Sequence, residues 1–259
     1  MRLEICELAL PLVHPFTIAR SSVSTARTAL FRLHHGHLEG LGESSPSPRY
    51  NESVASVAGF FATHPLASND PYALECLLDG IPPAARCGLD VALYDLIGKD
   101  LERPLWRLLG LDPERTPVTS FTLGIGSLEL TMAKVEAVRS HPVLKIKLGH
   151  GAEIETVEAV RSRYDGAIRL DPNEAWTPDE SVRILRELER FDIELCEQPI
   201  PAGTPEQLRF IRERTTIPLV ADEDARVASD LPKLAGCVDG VNIKLVKCGG
   251  IRAAQAMIH

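Results

Sequence analysis

VLKIKLG, residues 143–149, sets lysine at positions 145 and 147 of a short apolar run. Residues two apart on a β-strand share a face, so Lys145 and Lys147 are expected to point the same way. The same kind of run, apolar and then polar at its end, recurs downstream in AIRLDPN (167–173), IELCEQP (193–199), PLVADED (218–224) and GVNIKLVKCGG (240–250). Upstream, residues 118–125 read as a first strand of the series. The strands are expected over 143–148, 167–170, 193–196, 218–220 and 240–245, with amphipathic helices over 153–164, 178–191 and 205–214. Alternation of this kind implies a parallel sheet covered by helices, because parallel strands need a crossover that buries their faces. An open doubly wound sheet and a closed barrel both satisfy it. No G-x-G-x-x-G follows a first strand, which disfavours the dinucleotide-binding form.

Before residue 115 the character differs. Residues 3–12 and 28–38 read as strands, a glycine-containing turn at 38–42 leads to a third, and Pro46 and Pro48 end the pattern. Helices follow at 53–62 and 84–100, the latter lining one face with Leu89, Leu93, Leu96 and Ile97. Strands followed by helices suggest an α+β domain over residues 1–115, and an α/β domain is expected over 116–259.

The chain has 259 residues, 44% of them apolar and 25% charged, an ordinary globular balance. A net charge of −8 argues against nucleic acid as a partner. No run approaches the roughly 18 apolar residues of a membrane span and no signal-peptide pattern opens the chain, so a cytoplasmic protein acting on a small molecule is expected. The six cysteines are scattered without a C-x-x-C pair, and His34, His35 and His37 flank Gly36 in an expected hairpin turn.

Functional side chains collect at the C-terminal ends of strands in βα units. Here those ends carry Lys145 and Lys147, then Asp171 and Asn173, then Glu197, then Asp222, Glu223 and Asp224, then Lys244. Lys147, Asp171, Glu197, Asp222 and Lys244 follow one another at 24, 26, 25 and 22 residues, each interval about one strand, one helix and two loops. Three carboxylates brought to one mouth repel one another unless a cation binds. An all-oxygen set favours magnesium, or manganese, over zinc. A lysine becomes a general base when burial or a neighbouring cation lowers its pKa, as Lys145 would do to Lys147. A metal opposite would neutralise the oxyanion formed when a proton leaves the carbon next to a carboxylate. Lysines approaching from opposite sides suit inversion of a stereocentre.

Lys145-Ile-Lys147, Asp171, Glu197, Asp222 and Lys244 together resemble the enolase superfamily, in its muconate-lactonizing subgroup. GLGESSPSPRYNES and AARCGLDVALYDLIGKDLERPLWRLLG resemble the subgroup's capping domain, and SFTLGIG resembles the first barrel strand of dipeptide epimerases of the L-Ala-D/L-Glu type. The resemblance implies an α+β cap followed by a TIM-type (β/α) barrel, and a Mg2+-dependent isomerase that epimerises dipeptides. It implies Asp171, Glu197 and Asp222 as metal ligands, with Asn173 and Glu223 beside them, and Lys147 and Lys244 as the acid/base pair. Lys145 would contact the substrate carboxylate and Thr122 would lie against the substrate. Residues 14–24 would be a mobile cap loop carrying Arg20 as a substrate contact. The subgroup usually has serine or threonine where Asp224 stands, which would alter charge preference in the pocket.

About 143 residues follow the linker, room for roughly six βα units rather than a barrel's eight. The last two strands, and the acidic motif that in dipeptide epimerases holds the substrate ammonium, are therefore expected to be missing, as in a truncated form of a longer protein. A homo-oligomer is compatible with this reading. The resemblance leaves o-succinylbenzoate synthase, N-acylamino acid racemase and muconate cycloisomerase as alternatives. A non-catalytic metal-binding fragment is a more remote one.

Overall fold

The computed structural model describes all 259 residues. β1 (Arg2–Ile18) and β2 (Ser21–His35) are joined by a short turn at Ala19 and Arg20, and β3 (Leu38–Ser44) runs antiparallel to β2. Helices α1 (Val54–Thr63), α2 (Leu74–Leu78), α3 (Pro83–Asp100) and α4 (Leu105–Leu108) follow. The turn between β2 and β3 is at Gly36, as the flanking histidines suggested, with φ of 58° in the left-handed region, while the glycines at 40 and 42, expected in a turn over 38–42, lie within β3. Those glycines serve close approach instead. A Cβ on Gly42 would stand 2.1 Å from the Gly88 carbonyl oxygen, and one on Gly40 would stand 2.2 Å from that of Ala92. Strand β3 thus lies directly on the backbone of α3, while Ala29, Phe31 and Leu33 of β2 join the same core as Leu89, Leu93 and Leu96.

The parallel series comprises β4 (Phe121–Leu123), α5 (Leu128–Ala137), β5 (Val143–Lys147), α6 (Glu153–Arg161), β6 (Ala167–Asp171), α7 (Pro178–Leu188), β7 (Ile193–Glu197), α8 (Pro205–Arg212), β8 (Leu219–Ala221), α9 (Leu231–Leu234) and β9 (Gly240–Val241), ending in α10 (Leu245–Cys248) and α11 (Ile251–Ile258). Its six strands stand in chain order β4-β5-β6-β7-β8-β9, the order in which the first six strands of a (β/α) barrel would run, as an open sheet with β4 and β9 at the edges. Leu144, Ile146, Ile168, Leu170 and Cys196 face a core shared with Val157, Val160, Ile184, Leu185 and Leu208 of the helices. Helix α7 begins where sequence chemistry starts it: Thr177 and Glu180 form a reciprocal capping box around Pro178.

Both edge strands are shorter than expected. The first, expected over 118–125, pairs only at 121–123, and the last, expected over 240–245, ends at Val241. Each has a ladder partner on one side only, so little holds its flanks extended. Leu245–Cys248 turns helical instead, closed by Gly249 at φ 97°.

By internal contacts the chain forms two compact units. One comprises Met1–Pro11, Thr25–Thr116 and Ile243–His259, and the other Leu12–Ser24 and Pro117–Asn242. Two segments therefore depart from a single cut at 115/116. The far end of the β1–β2 hairpin is held in the second unit, where the Ile125 N–H donates to the Thr17 carbonyl at 2.9 Å. The C-terminal segment is held in the first, where buried Asp90 of α3 accepts the N–H groups of Ile251 and Arg252 at the start of α11.

Gly42→Ala is expected to cost about 3 kcal/mol in urea unfolding, because a backbone carbonyl cannot yield to the new methyl. Gly59→Ala, in the middle of α1 with nothing within 4 Å of its Cβ position, is expected to stabilise by about 0.5–1 kcal/mol.

Candidate active site

Strand register assembles the polar cluster. Lys145 stands level with Arg169, and Lys147 with Asp171. Lys147 Nζ donates to Asp171 Oδ2 at 2.6 Å. Lys145 Nζ lies 2.7 Å from the same oxygen and donates to Glu197 Oε2 at 2.6 Å. Asn242 Nδ2 donates to the other Glu197 oxygen at 2.8 Å. Asp171 is fully buried, so its charge is sustained by the two ammonium groups and not by water.

Glu197 reaches this cluster through a register shift. Ile168 pairs with Ile193, but Arg169 then pairs with Leu195 and Leu170 with Cys196. Without the extra residue Cys196 would fall level with Asp171 and Glu197 would face the core side. The bulge advances β7 by one residue and re-aims the carboxylate. Asp222, one residue past β8, is a layer further along, since Glu197 pairs with Val220.

Burial works to lower the Lys145 pKa, but Asp171 and Glu197 outweigh it and the net shift is upward. For Lys147 burial prevails, aided by the Lys145 charge, and its pKa falls. Burial would raise Asp171, yet Lys147 and Lys145 hold it below the usual carboxylate range. Burial and the charges of Asp171 and Asp222 push Glu197 up. The two lysines thus separate in basicity, as the sequence suggested.

A second ring braces the first, and it contains residues that sequence reasoning passed over. Gln198 is fully buried at φ 36°, and its side chain makes four hydrogen bonds. Oε1 accepts from the N–H groups of Asp222 at 2.9 Å and Asp224 at 3.3 Å, and Nε2 donates to the Ile200 carbonyl at 3.0 Å and Asp224 Oδ2 at 2.8 Å. Its own carbonyl accepts from Glu174 N–H at 2.9 Å. The signal was present in LCEQP, but a glutamine's partners are unreadable without the fold. Asn242 was passed over for the same reason. Both Asp224 oxygens are engaged by the loops: Oδ2 accepts from Gln198 Nε2 and Oδ1 from Gly203 N–H at 2.7 Å. Glu153 Oε1 accepts the N–H groups of Gly149, His150 and Gly151, fixing the loop after β5.

Residues 14–24 are not a loop but the end of the β1–β2 hairpin, whose turn presents Arg20. Its guanidinium meets Glu223 Oε1 at 2.7 Å, Glu174 Oε2 at 3.1 Å and the Asn173 carbonyl at 2.9 Å. Burial and the charge of Asp222 push Glu223 up to about 7, against the pull of Arg20. Asn173 N–H donates to Asp171 Oδ1 at 3.0 Å, tying this loop to the lysine cluster. Thr122 stands level with Lys145 on β4. Lys244 lies in the first unit, half-buried and extended, as the N-cap of α10.

No three acidic, histidine or cysteine side chains are drawn together as a ready metal cage. Lysine ammonium groups do the neutralising instead. Even so, the donor chemistry fits a hard cation: Asp171 and Glu197 offer only oxygen, and the Lys145 ammonium between them marks where positive charge is stabilised.

Residues 2–110 match the family model described as mandelate racemase / muconate lactonizing enzyme, N-terminal domain, and residues 130–259 match that described as enolase C-terminal domain-like. This chain belongs to the enolase superfamily. It is 33% identical over 267 residues to an L-Ala-D/L-Glu epimerase of Bacteroides thetaiotaomicron, spanning 100% of this chain and 70% of the relative. It is similar to the crystal structure of a dipeptide epimerase from Enterococcus faecalis V583 complexed with Mg and the dipeptide L-Leu-L-Tyr, at 32% identity and a TM-score of 0.88 over 98% of this chain and 77% of that one. It is similar too to a muconate lactonizing enzyme from Pseudomonas fluorescens complexed with muconolactone, at 28% identity and a TM-score of 0.90 over 99% and 76%. Epimerases are isomerases, and this superfamily member is an isomerase as well. None of its helices is long and apolar enough to cross a membrane.

Gln198→Ala strands the Asp222 N–H without its acceptor and is expected to cost about 1–3 kcal/mol in urea unfolding. Gln198→Glu is expected to cost more, since it turns a carboxylate oxygen toward Asp224 and the Ile200 carbonyl.

Proposed function

We propose that this enzyme is a magnesium-dependent dipeptide epimerase that inverts the α-carbon of the C-terminal residue. The observation that carries the reading is the convergence of Lys145 and Lys147 on buried Asp171 beside Glu197. A lone structural ion pair has no need of two lysines and two carboxylates at the ends of adjacent strands. The likeness to the Bacteroides and Enterococcus enzymes supports the dipeptide as substrate, and the Mg of the latter complex supports the metal.

Asp171, Glu197 and Asp222 would hold the Mg2+, which when bound supplies positive charge to the substrate carboxylate and so acidifies the neighbouring C–H. Asn173 and Glu223 would brace those ligands from their own loops. Lys145, whose ammonium keeps its proton, would receive the substrate carboxylate, with Thr122 alongside. Lys147 Nζ would take the α-proton on one face, and Lys244 Nζ would return a proton on the other. In the reverse direction the two exchange roles, and the electron pair left on the α-carbon is held in the ene-diolate of the carboxylate. Residues 1–115 would form the α+β capping domain of the family and 116–259 its barrel domain.

The muconate lactonizing likeness favours a second reading, in which the same lysines serve cycloisomerisation. N-acylamino acid racemisation and o-succinylbenzoate synthesis belong to the same branch. The first-strand resemblance of SFTLGIG ranks the dipeptide ahead.

Incubation with Mg2+ and a mixed dipeptide library in D2O, read by mass spectrometry, is expected to place deuterium on the second residue of some dipeptides. Turnover of muconate or an N-acylamino acid with no exchange on any dipeptide would reverse the order of the two readings. Lys147→Ala and Lys244→Ala should each lower epimerisation at least about 100-fold, while each still exchanges the α-proton of one epimer. Chelation by EDTA is expected to abolish exchange, and added Mg2+ to restore it.

A further inference from the structure

We infer that Arg20 is the built-in occupant of a cation subsite, and that the preferred substrates are dipeptides with an arginine or lysine side chain that takes its place. This rests on the epimerase reading and names its substrate class. The subsite is formed by the Asn173 carbonyl, Glu174 Oε2 and Glu223 Oε1, at 2.9, 3.1 and 2.7 Å from the Arg20 guanidinium. Two carboxylates and a carbonyl around one planar fork are what recognition of a guanidinium requires.

Arg20 does not satisfy the site. Glu223 Oε2 and Asn173 Oδ1 are buried without a hydrogen-bond partner, on residues each only 5% exposed. Each is an acceptor that one further hydrogen-bond donor would complete. The wall is also built independently of Arg20. Asn173 and Glu174 both sit in the left-handed region, at φ 51° and 68°, held there by Asp171 Oδ1 and by the Gln198 carbonyl. Strained backbone fixed by its surroundings is a recurrent feature of ligand clamps.

Arg20, by contrast, rides on a turn, with about a third of its side chain exposed. It is the member of the arrangement that can leave. The wall is bonded to the lysine cluster: Asn173 N–H donates to Asp171 Oδ1 at 3.0 Å and Lys145 Nζ lies 2.7 Å from Asp171 Oδ2, so a substrate whose carboxylate met Lys145 would carry its side chain toward this wall. An arginine serving as ligand for an acidic side chain would need its fork free. Here the fork is committed to two carboxylates, and a third anion would meet net negative charge.

Isothermal titration of the full chain with Mg2+ present tests this without relying on turnover. Wild-type protein is expected to bind L-Ala-L-Arg at least about tenfold tighter than L-Ala-L-Glu, with L-Ala-L-Gln between. In Arg20→Ala the affinity ratio of L-Ala-L-Arg to L-Ala-L-Gln should rise about tenfold further, because the internal competitor is gone. Arg20→Lys keeps a cation in place and should stay near the wild-type ratio, while Glu223→Gln should erase the preference. N-acetyl-L-Ala-L-Arg, lacking the α-ammonium, should keep it; loss of preference there would assign the subsite to the α-ammonium and overturn the side-chain assignment. An Arg20→Ala protein that loses L-Ala-L-Glu affinity, or whose ratio does not move, overturns the subsite. Tight L-Ala-L-Arg binding without epimerisation would instead sink the epimerase reading alone.

Discussion

Everything around the site depends on keeping a carboxylate charged in the absence of water. Asp171 is fully buried, and an isolated charge there would cost several kcal/mol. Lys145 and Lys147 supply the compensation, and both come from the neighbouring strand. Their reach to one oxygen requires Lys147 and Asp171 to stand level, which fixes the β5–β6 register. That register also turns Leu144, Ile146, Ile168 and Leu170 into the core. A one-residue slip would bury the ammonium groups among leucines and expose the apolar side chains. Core and site are two faces of the same strands, and each specifies the other.

The next constraint is how loops after three different strands are kept in one arrangement. Gln198 does much of this from a single buried side chain, joining the segment after β7 to Asp222 and Asp224, while its carbonyl holds Glu174. Asp224 carries the chain of bonds to Gly203. A network with its hydrogen-bonding groups met in this way is rigid, and rigidity lets the acidic wall keep its shape whatever occupies it. Arg20 then meets a surface already formed.

Much of this was legible in the chain. The parallel order of strands, the helices between them and the long α3 follow from periodicity. The convergence of Lys145, Lys147, Asp171 and Glu197 follows from polar residues at strand ends. Other features were not. Gly40 and Gly42 read as a turn, because a glycine looks alike whether it frees the backbone or lets a helix come close. Residues 14–24 read as a mobile loop by the family resemblance, whereas they close the β1–β2 hairpin, whose end is pinned by Ile125 and Glu223 far along the chain. The β7 bulge left only an interval of 26 residues in place of 24 or 25, too small a departure to interpret.

By itself the sequence determined the local terms: which segments extend or coil, where helices start, and which strand ends carry charge. Those depend on neighbours a few residues apart. Tertiary structure alone decided which charges pair, that Glu197 and not Cys196 joins Asp171, that Gln198 is a hub, and that Arg20 is already engaged. These are matters of register and hydrogen-bond closure between segments 24 to 203 residues apart. Nothing local distinguishes one such partner from another until the chain has folded.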